Sequence, residues 1–182
     1  MVRGFTERST RFRPSSKEEH VVQKAQEHFE RTLINIQGEL AGSVAALEHP
    51  RHEEALNYGE IFLRDNVPVM IYLLLQGRYA IVRQFLSVCL DLQSTSVQTR
   101  GVFPTSFVEE ENELVADYGQ RSIGRITSVD ASLWWPILCW IYVKRSGDKE
   151  FGRSQKVQRG LHLLLDLVLH PSFEGTPVLF VP

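Results

Sequence analysis

The chain has little that would tie it to a membrane, to nucleic acid or to a disulfide scaffold. Two cysteines in 182 residues, Cys89 and Cys139, are too few for a disulfide framework, and both lie inside apolar runs, so they read as buried free thiols in a reducing compartment. The longest apolar run, LWWPILCWIYV from Leu133 to Val143, has 11 residues. A membrane-spanning helix needs about 20, so the run reads as a core helix. Neither sign of charge dominates: 20 Lys and Arg face 22 Asp and Glu, for a net charge of −2. There is no basic stripe for nucleic acid and no acidic tail. The N-terminal MVRGFTERSTRFRP lacks the apolar stretch of a secretory signal. Its four arginines would suit an organelle address, but residues 1–14 read more simply as a flexible tail. What remains is 43% hydrophobic and 23% charged, the composition of one compact domain.

Several familiar chemistries are missing too. GDKEFG and YGQRSIG do not follow a strand and carry no Gly-rich phosphate pattern. No serine nucleophile elbow is present. His49, His52 and Glu53 in EHPRHEE have loosely ligand-like spacing, and a solvated turn is the simpler reading than a metal site.

What is there is helical periodicity. Ser15 and Ser16, followed by Glu18 and Glu19, offer a capping box, and Val22, Ala25, Phe29, Leu33 and Ile36 continue a helix to about Gly38. The stretch ALEHPRHEEALNYGE reads as loop. A second helix is expected over Val67–Gln76, with Pro68 in its first turn, apolar all round and buried on most faces. Gly77 fits a C-terminal turn. A third helix follows at once, with Ile81, Val82, Phe85, Leu86 and Cys89 on one face. A polar connection from about Ser94 to Ser128 contains a β-like piece, and a small hairpin is expected within residues 102–117; loops this long are often functional. The fourth helix starts between Ser128 and Ser132, with Pro136 uncomfortably deep, and ends at Gly147. The fifth runs from a Ser154 cap to His170 and is expected to be buried on two sides.

Two antiparallel helix pairs with short turns at one end place the long loops at the other. Arg64, Asp65, Asp130 and Trp134 then converge on one mouth. Each has a plain alternative. Asp65 and Asp130 could be helix caps or first-turn charges favoured by the helix dipole, and Trp134 and Trp135 could be core. Arg64 is the odd one, because the same dipole disfavours a cation there. Two carboxylates at a mouth suit a glycosidase, whose inverting type needs them roughly 6.5–9.5 Å apart, a distance that sequence spacing does not supply.

LNYGEIFLRDNVP, GVFPTSF, VADYGQRSIGR with SVDASLWWPIL, KRSGD and KVQRG together resemble the alkaline/neutral invertases, glycoside hydrolase family 100, in their cyanobacterial form. The resemblance runs from about Ala55 to Pro182. It implies an (α/α)6 barrel, of which this all-α chain would supply about half over residues 15–182. It implies hydrolysis of sucrose to glucose and fructose with inversion, no metal or organic cofactor, and a cytosolic and oligomeric enzyme; the charge pattern and short apolar runs already argue for no nucleic-acid or membrane partner. Arg64 and Asp65 match a pair that grips glucosyl hydroxyls, Asp130 and Trp134 line the same pocket, and Tyr58, Phe103, Gln120 and Arg125 form more of its wall.

The resemblance also implies that the general acid and base lie beyond Pro182, so that no catalytic residue falls within the chain and this piece alone is inactive. Twelve helices with ordinary connections need about 200 residues at the barest, so the inner faces of helices two, four and five are expected to be uncovered. Two alternatives remain: an (α/α)6 hydrolase of another α-glucoside, and a non-catalytic helical-repeat binding module. The latter should repeat every ~34–47 residues, whereas the two helix pairs here are offset by about 65.

Overall fold

The computed structural model describes residues 15–45, 59–97, 99–119 and 129–169. The chain divides between Arg31 and Thr32 into two compact units.

In the first unit, helix α1 (Ser16–Thr32) starts on the expected capping box. The Ser15 N–H donates to Glu18 Oε2 at 2.5 Å, and the Glu18 N–H donates to Ser15 Oγ at 3.4 Å. The Ser15 backbone bond holds the Glu18 carboxyl below its ordinary range. No residue of α1 is buried.

The helix does not continue to Gly38. Leu33–Ile36 (β1) pairs antiparallel with Glu39–Ser43 (β2). Leu33, Ile34 and Ile36 suit a pleated, half-buried surface, and Gln37 and Gly38 both take positive φ, 55° and 82°, the twist a two-residue hairpin needs. The second hairpin is where the sequence placed it. Ser106–Glu110 (β4) pairs with Glu113–Asp117 (β5) around Glu111 and Asn112, also at positive φ. A short strand, Ile61–Phe62 (β3), adds to β4 to make a three-stranded sheet. The Gln37 N–H donates to Glu109 Oε2 at 2.8 Å and ties the two hairpins together.

The helices carry the core. α2 (Leu63–Leu75) packs against α3 (Tyr79–Asp91) and α4 (Val129–Ser146). Leu63, Val67, Met70, Leu73 and Leu74 face Ile81, Val82, Phe85, Leu86 and Cys89 and, from α4, Trp135, Leu138 and Tyr142, all buried. Gly77 turns α2 into α3 at φ 74°, as expected. The segment after α4 is more than a turn: Lys149–Arg153 is a short helix, α5, before α6 (Gln155–Val168), whose Ser154 hydroxyl accepts the Val157 N–H.

Three expectations need correction. α2 begins four residues earlier than expected, running straight out of β3, with the Leu63 N–H satisfied by the Thr105 carbonyl at 3.0 Å and no side-chain cap. Pro68 therefore lies in the second turn, where it has no N–H to offer the Arg64 carbonyl. α6 is buried on one side, through Val157, Gly160, Leu164 and Leu167, while Leu165 and Leu169 are exposed. The apolar run of α4 is likewise half core: Leu133, Ile137 and Trp140, at i, i+4 and i+7, are exposed, as are Tyr72 and Leu75 on α2, so these helices keep the uncovered apolar faces that were expected. The described residues are thus mostly helical with two small antiparallel sheets, and none of their helices is long and apolar enough to cross a membrane.

Candidate functional site

Arg64, Asp65 and Asn66 are the second to fourth residues of α2, and they divide by direction. Asn66 points inward. Its Oδ1 accepts the Ser43 N–H at 2.8 Å, and its Nδ2 donates to the Ser43 and Phe62 carbonyls, both at 2.9 Å. A buried amide satisfied this fully fixes the first turn of α2 to the end of β2. Arg64 and Asp65 point out. Asp130 is the second residue of α4, so both aspartates sit in first turns, where the helix dipole favours negative charge.

The three side chains meet. Arg64 Nε lies 3.5 Å from Asp65 Oδ1, and Arg64 Nη1 lies 3.6 Å from Asp130 Oδ1. A cation that the α2 dipole disfavours is thereby held between two carboxylates. The contacts are long and the side chains open to solvent, 55%, 65% and 47% exposed, so the trio adds little to stability. Its polar atoms face outward with a net charge of −1.

Trp134 is half-buried and lies at i+4 from Asp130, on the same face of α4. Trp135 is core, with its Nε1–H donating to the Leu86 carbonyl at 3.1 Å. Phe103 is 1% exposed and stacks on Trp135, ring centroids 4.8 Å apart and planes 13° apart. The structure therefore puts Phe103 behind the site instead of on its wall: the 101–105 segment turns its ring into the core. Tyr58, Gln120 and Arg125, and His49, His52 and Glu53, lie outside the described residues. Glu60, four residues before Arg64, is buried and accepts the Ser106 hydroxyl at 2.5 Å.

Sequence reasoning missed two residues that build this end. Asn66 carried a signal, since a short polar side chain just inside an apolar helix competes for backbone groups unless it has partners. Ser132, 2% exposed, accepts the Phe103 N–H at 3.0 Å, and nothing in its local sequence announces a partner 29 residues away.

Among the described residues no group of three or more His, Cys, Asp or Glu could hold a metal ion. An anionic trio is also ill suited to phosphate. A guanidinium between two carboxylates offers forked donors beside acceptors, the set that adjacent hydroxyls of a polyol require. Fold and site thus give a mostly helical chain with an exposed arginine between two aspartates at paired helix N-termini.

The family model for alkaline and neutral invertase matches residues 25–182, and the chain belongs to that glycoside hydrolase family. It is 35% identical over 171 residues to alkaline/neutral invertase CINV2 of Arabidopsis thaliana, covering 87% of this chain and 30% of the relative. It is 36% identical over 171 residues to cytosolic invertase 1 of Oryza sativa subsp. japonica, again 87% and 30%. It is 35% identical over 168 residues to the mitochondrial neutral/alkaline invertase 1 of the same rice, 83% and 27%. The chain spans about 30% of the length of these relatives.

Proposed function

We propose that this chain supplies the glucosyl grip of an invertase that hydrolyses sucrose to glucose and fructose with inversion, within an (α/α)6 barrel. The observation that carries the reading is the meeting of Arg64, Asp65 and Asp130 at the N-termini of α2 and α4. Each carboxylate accepts a sugar hydroxyl proton while the guanidinium donates to a neighbouring oxygen, and Trp134 offers an apolar flank to the ring.

Both aspartates are tied to Arg64, which suits binding better than proton transfer. In this reading the general acid and base come from the roughly 70% of the relatives that lies outside the match. The same part of the enzyme covers the apolar faces left open on α2 (Tyr72, Leu75), α4 (Leu133, Ile137, Trp140) and α6 (Leu165, Leu169), which is how a barrel closes. The reaction is what we carry over from the relatives; their names divide among cytosol, mitochondrion and chloroplast, and the cytosol is the compartment we assign here, in keeping with two reduced, buried cysteines.

The test is direct. The purified 182-residue chain is titrated with D-glucose and with D-fructose, and assayed for glucose release from sucrose. Binding of glucose in preference to fructose, without turnover, is expected. Fructose preference, or no sugar binding, overturns the grip, and invertase-level turnover overturns the placement of acid and base elsewhere, since each is worth about 10²–10⁴-fold.

A further inference from the structure

The two helices that carry the trio do not touch the rest of the site independently. Besides packing directly on one another, both are held by one short segment. The Thr105 carbonyl accepts the Leu63 N–H of α2 at 3.0 Å. Two residues earlier, the Phe103 N–H donates to Ser132 Oγ of α4 at 3.0 Å. Leu63 adjoins Arg64, and Ser132 lies two residues from Asp130. A two-residue span of backbone, with few ways to stretch, therefore bridges the first turns of both helices.

The span is itself anchored. The Thr105 N–H donates to the Asp117 carbonyl at 2.8 Å, and the Val102 carbonyl accepts the Ser94 N–H at 2.8 Å. Gln93 Nε2 reaches the Gly101 and Gly160 carbonyls at 2.9 and 3.0 Å. Gly101, at φ 95°, lies so close to α6 that a Cβ there would come within 2.4 Å of the Leu163 carbonyl oxygen. The Phe103 ring on Trp135 fixes the span's rotation about α4.

We infer that Phe103–Thr105 is a spacer that sets the distance between Arg64 and Asp130, with Ser132 and Phe103 acting as positioning residues. This rests on the reading of the trio as a sugar grip. A guanidinium and a carboxylate 3.6 Å apart and open to water have too little mutual attraction to fix their own spacing; the span ties the first turns that carry them, and small displacements of positioned groups are costly in recognition.

The experiment uses the full chain and D-glucose, followed by ¹⁵N–¹H NMR that includes the Arg64 side-chain resonance, with Asp130→Asn giving the signature of a lost Asp130 contact. Ser132→Ala should weaken glucose binding about 3- to 10-fold, the scale of one hydrogen bond, and move the Arg64 resonance toward that signature. Ser154→Ala, which removes the cap of α6 and none of the hydrogen bonds of the span, should lower the thermal midpoint and leave both readouts unchanged. If Ser132→Ala fails to fold, Phe103→Leu, which keeps the backbone bond and removes the stack, takes its place. An unmoved Arg64 resonance, or a Ser154→Ala chain that loses as much affinity, overturns the spacer. If the unsubstituted chain binds no glucose, the grip falls and the Arg64 resonance alone decides the spacer.

Discussion

Two arginine–aspartate clusters sit at helix N-termini in this chain, and they are built differently. Around Asp148 every direction is used. Its Oδ1 accepts the Phe151 N–H at 2.9 Å to cap α5, its Oδ2 accepts the Tyr142 hydroxyl at 2.9 Å and lies 3.2 Å from Arg83 Nε. Arg83 in turn lies over the Phe151 ring, which meets Tyr142 edge-on. Around Arg64, α2 has no side-chain cap, the contacts are 3.5 and 3.6 Å, and all three side chains are about half-exposed. The first cluster is a structural knot at the short-turn end. The second spends the same residue types at the loop end on longer contacts to aspartates more open to solvent. Composition alone would not separate them; contact length and exposure do.

The largest expected difference is in stability. Asp148→Ala removes a cap worth about 1 kcal/mol and strands the buried Tyr142 hydroxyl, so a loss of about 2 kcal/mol is expected from urea unfolding, with glucose affinity unchanged. A loss under about 0.5 kcal/mol would make the two clusters equivalent and break the contrast. The next effect is in binding. Arg64→Ala should weaken glucose at least about tenfold, or roughly 1.4 kcal/mol, with the thermal midpoint nearly unmoved; Arg83→Ala should do the reverse. Arg83→Ala weakening glucose as much as Arg64→Ala would show that the sugar site had been misplaced.

The knot should also be visible in pH. The Phe151 N–H does most to hold the Asp148 carboxyl below its ordinary range; partial burial opposes this, and the Tyr142 hydroxyl and Arg83 add to the lowering. A folded value below the unfolded one, about 3.9, means that the stability it brings is present above that pH and is lost as pH falls through the folded value. Tyr142 runs the other way. Burial first, then the Asp148 carboxylate, push its hydroxyl up to about 12. Its contribution is complete below the unfolded value of about 10 and disappears as pH rises toward 12. Asp148→Asn should flatten the acid limb of stability against pH, and Tyr142→Phe the alkaline limb. Cys139, raised to about 11 by burial, should leave some alkaline slope behind. An unchanged alkaline limb in Tyr142→Phe would mean the hydroxyl is not held as the geometry shows.

The sequence was readable where one periodicity prevailed. The inward face of α3, the Gly77 turn, the second hairpin and the meeting of Arg64, Asp65 and Asp130 all follow from pattern and antiparallel topology. It misled where two signals overlapped. Leu33 and Ile36 fit a helical repeat through Val22 and Phe29, yet they lie in a strand, where an irregularity between Ile34 and Asn35 interrupts the alternation and both are buried; the Gln37-Gly38 turn decided between them. Pro68 suggested a late start for α2 because proline suits a first turn; the helix starts earlier because the Leu63 N–H finds a partner, Thr105, 42 residues away in the chain. Leu165 and Leu169 fitted two expectations, a helix buried on two sides and an apolar face left uncovered; their exposure fits the second and depends on what stands beside α6, which its own sequence does not encode. The family resemblance put Phe103 on the wall; its direction is set by Ser132 and Trp135, not by its neighbours in GVFPTSF.

The smallest expected effect is the sharpest discriminator. Asp65→Asn and Asp130→Asn keep size and shape and remove only charge. A structural carboxylate in a first turn would lose dipole stabilisation of about 0.3–1 kcal/mol plus any ion-pair energy. At these exposures and distances the pair term is near zero, and removing a carboxylate also relieves repulsion between the two aspartates that flank Arg64. The terms oppose, so each substitution should move the unfolding free energy by less than about 0.5 kcal/mol. Glucose binding should nevertheless fall, because an amide offers a sugar hydroxyl one acceptor oxygen where a carboxylate offers two. A stability loss above about 1 kcal/mol with unchanged sugar affinity would make the trio a second knot, and the open half-exposed geometry at the head of α2 and α4 would then be structural after all.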